Sequence, residues 1–120
     1  MQHLRKKRKF RRERNQRNAL IKSLFDGLVL HEKIKTTEAK AKEIHSLIDK
    51  IINRAKEAQK KEKKVATIRL LSKVLNKSTV KKLSGKFIEK FNERKSGYTR
   101  VIKLSPRKSD NARMAIIEFV

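Results

Sequence analysis

The hydrophobic period of this chain changes near residue 97, and that change limits what the chain can fold into. Over residues 20–91 apolar side chains recur every three or four positions, with one short interruption at "EKIKTT"; after "KSG" they recur at every second position. The first pattern belongs to amphipathic helices and the second to half-buried strands. A block of helices followed by a pair of strands implies an α+β chain in which the helices pack on a small sheet.

Within the helical block, Leu20, Ile21, Leu24, Phe25 and Leu28 define a first helix. In "EKIKTT" the β-branched Ile34, Thr36 and Thr37 alternate with Lys33 and Lys35, which predicts a brief strand ending in a helix cap at Thr37. Glu38 follows in the first turn of a second helix, where a negative charge favours the dipole. Ala41, Ile44, Ile48, Ile51, Ile52 and Ala55 mark one face of that helix, with Lys42, Lys50 and Asn53 opposite. The run "KKEKK" ends the pattern, and Val65, Ile68, Leu71 and Leu75 begin a third helix that stops near "NKS". A fourth is expected from a cap at Thr79, burying Val80, Leu83, Phe87, Ile88 and Phe91. Gly85 falls inside that stripe at a cost of about 1 kcal/mol relative to alanine and predicts a bend.

Beyond residue 97, "YTRVIKL" and "RMAIIEFV" read as strands joined by "SPRKSDNA", whose Pro106, Asp110 and Asn111 are turn formers, so an antiparallel hairpin is expected. The predicted organisation is a basic extended arm over residues 1–17 and one compact domain over residues 18–120. That domain is a two-layer body of about four helices on a sheet made from the short strand and the hairpin.

Charge narrows the partner. The 120 residues carry 35 Lys plus Arg against 12 Asp plus Glu, a formal charge of +23. A small soluble domain usually carries a net charge of about 2 to 8, so this imbalance calls for a polyanion. Leu, Ile, Val and Phe together still exceed the roughly one-fifth below which chains stay unfolded. The charge is densest in "HLRKKRKFRRERNQR", where nine cations surround one glutamate and one aromatic. His3, Arg5, Lys6, Lys7, Arg8, Lys9, Arg11, Arg12, Arg14 and Arg17 are the candidate phosphate-contacting groups there, with His3 equally readable as a solvated side chain. Guanidinium forks suit bidentate phosphate contact and stacking on exposed bases. Phe10 has two readings, stacking on an unpaired base or anchoring the arm to the protein's own body. Carried backwards, the buried stripe of the first helix lands on Arg17. It turns cationic there, as it would where a helix enters something negative.

Further cations are spread over the chain: Lys40 and Lys42 on the second helix, Arg94 and Lys95 before the hairpin, Arg107 and Lys108 in its turn. Such a many-sided surface fits burial within folded RNA, whereas a groove-reading DNA protein concentrates its basic side chains on one recognition helix. "KKRK" also matches a nuclear import signal, a common pattern in nucleic-acid-binding chains.

Other classes fall away. There is no cysteine, so disulfides and cysteine-bound zinc are excluded and an intracellular setting is expected. No apolar run approaches the roughly 20 residues of a membrane span, and Lys22 and Asp26 interrupt the stretch nearest to a signal sequence. A transit peptide would mix its cations with apolar and hydroxyl residues, but the arm has only Leu4 and Phe10 among them. His3, His31 and His45 lack metal-helix spacing, no glycine-rich phosphate loop is present, and the carboxylates are scattered among lysines. His45 is expected at the boundary of the second helix's apolar face and His31 at the carbonyl end of the first. No enzyme, cofactor or metal is expected.

Three segments carry a resemblance. "HEKIKTTEAKAKEI" at 31–44, "GYTRVIKL" at 97–104 and "DNARMAIIEFV" at 110–120 match, in order and spacing, the motifs of bacterial-type large-subunit ribosomal protein seventeen, and the chain resembles that family over nearly its whole length. The resemblance implies a monomer embedded in the large ribosomal subunit, on a cytoplasmic or organelle ribosome. It also implies binding to ribosomal RNA near the outer end of the polypeptide exit tunnel, beside neighbouring ribosomal proteins, without catalysis, cofactor or membrane. It points to Thr36, Thr37, Lys40, Lys42, Tyr98 and Arg100 as residues of consequence; capping by Thr37 and packing by Tyr98 at the strand start are the alternatives to direct RNA contact. The arm departs from the family opening at Gln2, Leu4 and "RRERNQR", so there the charge carries over and the individual contacts do not. The competing reading is a small DNA-binding architectural protein, recognisable by a dimer surface or a groove-entering helix. More distant is an RNA-modifying enzyme, recognisable by a cofactor pocket.

Overall fold

The computed structural model describes residues 8–60 and 62–120. It contains α1 (Arg14–His31), β1 (Lys33–Thr37), α2 (Glu38–Glu57), α3 (Lys64–Ser72), α4 (Lys77–Leu83), a 3-10 helix (Lys86–Phe91), β2 (Thr99–Lys103) and β3 (Met114–Phe119). The expected α+β class and the order helix, short strand, helices, hairpin are found among the described residues. The three strands form one antiparallel sheet in the order β1-β3-β2, so the C-terminal strand is the central one. Helices cover one face of this sheet. On the other face Lys33, Lys35, Arg100 and Ile102 are exposed.

α2 is the central helix of the core. Ala41, Ile44, Ile48, Ile51, Ile52 and Ala55 are all buried along the stripe their spacing predicts, while Lys42, Lys50 and Asn53 face solvent. Each buried isoleucine contributes roughly 1.5–3 kcal/mol relative to an exposed one, far more than helix propensity could supply. Against this stripe pack Phe25, Leu28 and Val29 of α1, Leu71 of α3, Leu83 of α4, and Ala115 and Ile117 of β3. An aromatic cluster closes one end: Phe87 and Phe91 of the 3-10 helix meet Phe119 and Tyr98 at centroid separations of 5.2–5.4 Å, three of the four pairs being edge-on. Edge-on pairing suits the ring quadrupoles.

Local expectations failed where a distant residue intervened. The fourth helix starts at Lys77, not at Thr79, and Thr79 is fully buried inside it. Its hydroxyl donates to Oδ1 of Asp26 on α1 at 2.7 Å, and the Asn76 N–H donates to the same oxygen at 3.2 Å. The start of α4 is therefore capped across the fold by a carboxylate and not by its own hydroxyl. Thr37 does occupy the N-cap position of α2 but makes no side-chain cap; the Glu38 N–H instead donates to the Arg113 carbonyl at 2.9 Å, extending the β1-β3 ladder into the helix. Val65, expected in the third helical stripe, is 62% exposed, while Thr67 and Leu71 of the short α3 are buried and Ile68 packs partly against the core. The first helix begins at Arg14, so Arg14 and Arg17 belong to the folded body and not to an extended arm. Residues 9–12 are also not extended: Arg12 N–H donates to the Lys9 carbonyl at 3.1 Å across Phe10 and Arg11, both at φ 53, the signs required by a type I′ turn.

The bend expected at Gly85 is present, since α4 gives way there to the 3-10 helix. Gly85 has ordinary negative φ, and a Cβ added to it meets nothing closer than 3.6 Å. Gly97 differs, with φ 66. Gly85→Ala should therefore be neutral or stabilise by about 0.4–1 kcal/mol, whereas Gly97→Ala should destabilise by roughly 1 kcal/mol or more. Urea denaturation of the two variants checks the contrast; equal midpoints would contradict it.

Candidate nucleic-acid interface

Register places the ends of the sheet. Thr37 pairs with Met114, and Lys103 pairs with Ala115, so the end of β1, the start of α2 and the β2-β3 turn lie together. Lys103 Nζ is 3.8 Å from Glu38 Oε1, and Lys42 Nζ is 2.8 Å from the same oxygen. A hollow of about 350 Å³ at this end is lined by Arg8, Lys42 and Arg113 together with Thr37, Glu38, Ala39 and Ala112. A second, of about 260 Å³, is lined by Arg8, Arg14, Arg17, Asn18, Ile21, Glu43 and Leu47. Arg8 lines both. Cations remote in sequence thus converge on one end of the molecule, around the N-terminal halves of α1 and α2.

The acids at this end are occupied. Glu38 is held below its ordinary carboxylate value, first by its hydrogen bond to Lys42 and further by the charges of Lys42, Lys103 and Arg113. Glu43 is buried and accepts from Arg8 Nη1 at 3.2 Å. In the hairpin turn Arg107 forms a two-point pair with Asp110, Nε to Oδ1 at 2.9 Å and Nη2 to Oδ2 at 2.7 Å. That pair, with the Ala112 N–H, lowers Asp110 to about 2 and raises Arg107. At the far end of the sheet, Arg100 Nε donates to Glu118 at 2.7 Å. Single-point exposed pairs such as that of Arg100 are weak and screened by salt, whereas the two-point Arg107–Asp110 pair is the firmer one.

Among the expected contact residues, His3, Arg5, Lys6 and Lys7 lie outside the described residues. Arg8, Arg14, Arg17 and Lys42 are brought together. Lys9, Arg11, Arg12 and Lys108 are exposed, Lys40 is half-buried, and none of these five forms an ion pair among the described residues. Phe10 is half-buried and its carbonyl accepts from Arg12 Nη1 at 2.8 Å. His31 closes α1 as expected, and His45 is exposed with Nδ1 2.9 Å from the Thr99 hydroxyl.

Tyr98 requires a correction as a contact residue, because its ring is fully buried. Its hydroxyl donates to Asn53 Oδ1 at 2.6 Å, lies 3.0 Å from the Arg94 carbonyl and accepts from Lys56 Nζ at 3.0 Å. Packing, the alternative reading, accounts for it. Conversely, Arg113 and Lys103 were not singled out by sequence reasoning. They sit in and beside an ordinary strand pattern, and only the sheet register carries them to the start of α2.

Residues 20–120 match the family model described as Ribosomal protein L17. Similar curated proteins carry the name Large ribosomal subunit protein bL17. One, from Natranaerobius thermophilus, is 43% identical over 113 residues, spanning 94% of this chain and 96% of the relative. One from Phytoplasma mali is 41% identical over 114 residues, 93% and 97% of the two chains. One from Staphylococcus epidermidis is 37% identical over 119 residues, 94% and 98% of the two chains.

Two measurements test the geometry. Tyr98→Phe keeps the aromatic cluster but removes the hydroxyl from Asn53 and Lys56, so it should cost about 1–2 kcal/mol in urea denaturation and leave RNA affinity unchanged. A loss of affinity at full stability would return Tyr98 to the contact surface. Asp110 has a depressed folded value, so its pairing is fully present above the unfolded carboxylate value and is lost as pH falls through about 2. A carbon-detected NMR titration should find that midpoint for the Asp110 carboxyl, and Arg107→Gln should move it back toward 3.8.

Proposed function

The chain belongs to the ribosomal protein L17 family, structural and non-enzymatic proteins of the large ribosomal subunit, and from that premise we propose that it binds and stabilises large-subunit ribosomal RNA near the outer end of the polypeptide exit tunnel. It does so as a monomer within the subunit, beside neighbouring ribosomal proteins. The observation that carries the RNA reading is the cationic end, where Arg8, Arg14, Arg17, Lys42 and Arg113 line two adjoining hollows. The position at the tunnel exit rests on the family resemblance.

The mechanism is electrostatic positioning. Of the six aromatic residues, Phe25, Phe87, Phe91 and Tyr98 are buried and Phe119 packs among them, leaving Phe10 in the arm as the aromatic nearest to any partner. The body's aromatics are thus committed to its own packing, and its grip on RNA comes from cations held by rigid elements. Neutralising 6–10 phosphates would make affinity fall by roughly a thousandfold to a hundred thousandfold between 50 and 200 mM salt. The cations belong to the ends of several elements and not to one helix that could enter a groove, which favours folded RNA over the DNA-architectural reading.

Because α1 begins at Arg14, deleting residues 1–12 spares every helix and strand found among the described residues. The truncated protein should keep its far-ultraviolet circular dichroism, yet its incorporation into reconstituted large subunits should fall by about tenfold or more, the loss expected from several phosphate contacts. Undiminished incorporation would remove the arm from the RNA interface. Recovery of the full chain with chromosomal DNA, and not with large subunits in a high-salt gradient, would favour the architectural reading.

A further inference from the structure

The face of α1 that buries Leu28 and Phe25 runs back through Ile21 to Arg17 and Arg14, so an apolar stripe becomes a cationic one along a single helix. Both arginines line the 260 Å³ hollow, whose opposite wall is Glu43 and Leu47 of α2 and whose third side is Arg8. Glu43 is its only acidic lining residue. Three arginines thus line one hollow with a single carboxylate, and the pairing made is that of Arg8, 3.2 Å from Glu43 Oε2.

A carboxylate is a poor match for three forks, since it offers two oxygens in one plane. A phosphodiester in the same place offers charge and accepting oxygens toward several sides, which is what converging guanidiniums recognise best. Glu43 would oppose a phosphate there unless it can give up its position, and the balance of costs favours release. The Arg8 side chain is 43% exposed, so its pair with Glu43 contributes at most about 1 kcal/mol. The turn that brings Arg8 back to α2 places Phe10 and Arg11 at φ 53, a conformation costing roughly 1–2 kcal/mol for each residue with a side chain. Among the described residues 8–12, the ion pair of Arg8 with Glu43 is the one that ties this segment to the body. Arg8 itself contributes to covering Glu43, whose side chain is 10% exposed, so departure of the arm returns the carboxylate to water.

We propose that this hollow is a phosphate site for the RNA backbone and that Glu43 is its resident anion in the free protein. RNA phosphate takes over Arg14 and Arg17, Glu43 gives up Arg8, and the 9–12 turn opens so that Arg8 follows the RNA backbone. This deepens the RNA-binding reading above and rests on it.

The test uses the full chain and a transcript of large-subunit ribosomal RNA at one fixed salt concentration. Arg14→Gln combined with Arg17→Gln should weaken binding by about tenfold or more. Glu43→Gln should tighten it by about threefold to tenfold, because a competing anion is gone. In the free protein the same substitution should speed hydrogen exchange at the Arg12 amide, which closes the 9–12 turn. Circular dichroism melts establish that each variant is folded, and Arg8→Gln provides a second route to unlatching the arm, with the same faster exchange expected. Tight binding by the double arginine variant overturns the phosphate site while leaving the RNA reading intact. Unchanged or weaker binding by Glu43→Gln overturns the exchange, and failure of the unaltered chain to bind the transcript removes both.

Discussion

Tyr98 ties the sheet to the helical layer. Its ring packs edge-on against Phe91 at 5.4 Å, and its hydroxyl reaches Asn53 and Lys56 of α2. One turn earlier on the same helix, Asp49 accepts from the Gly97 and Tyr98 N–H groups at 3.3 and 3.4 Å. Three α2 residues spaced four and three apart thus hold the chain just as it enters β2, and the period of the helix is what aligns them. Once β2 is pinned there, strand alternation decides which face of the sheet meets α2, and Ala115 and Ile117 go into the core while Lys35, Arg100 and Ile102 stay outside.

That arrangement also explains how a chain of charge +23 keeps a fold. Apolar burial is concentrated on α2 and the aromatic cluster, and the few acids are spent at junctions. Asp26 caps α4, Asp49 holds the entry to β2, and Glu32, at the left-handed end of α1, lies 3.6 Å from both Lys82 and Lys90. Part of the remaining positive charge, from Arg8, Arg14, Arg17, Lys42 and Arg113, sits together where α1 and α2 begin. Self-repulsion there is a standing cost to the free protein and a source of affinity once phosphates arrive.

The sequence was a good guide where the evidence was periodic. The six buried apolar positions of α2, the bend at Gly85, the hairpin turn around Asp110 and Asn111, and His31 at the carbonyl end of α1 were all legible from spacing and residue type. It misled at positions whose partner is far away. Thr79 carries every local mark of a cap, yet its hydroxyl is drawn into the interior by Asp26, 53 residues earlier. Tyr98 was pointed to as a contact by the family resemblance, with packing at the strand start as the alternative, and nothing local reveals the polar groups of α2 that satisfy its hydroxyl.

Composition and period by themselves determined that this chain has a helical body, a terminal hairpin and a large excess of positive charge, because charge count and side-chain alternation are properties of short stretches. Only the tertiary structure decided that β3 is the central strand, that Arg14 and Arg17 are part of a helix facing α2, and that Arg8, Lys42 and Arg113 share one hollow. Those facts depend on loop closure and on which faces can be buried together. Glu43 shows the division most clearly: in sequence it is one acid among lysines, and in the fold it is the carboxylate opposite three arginines.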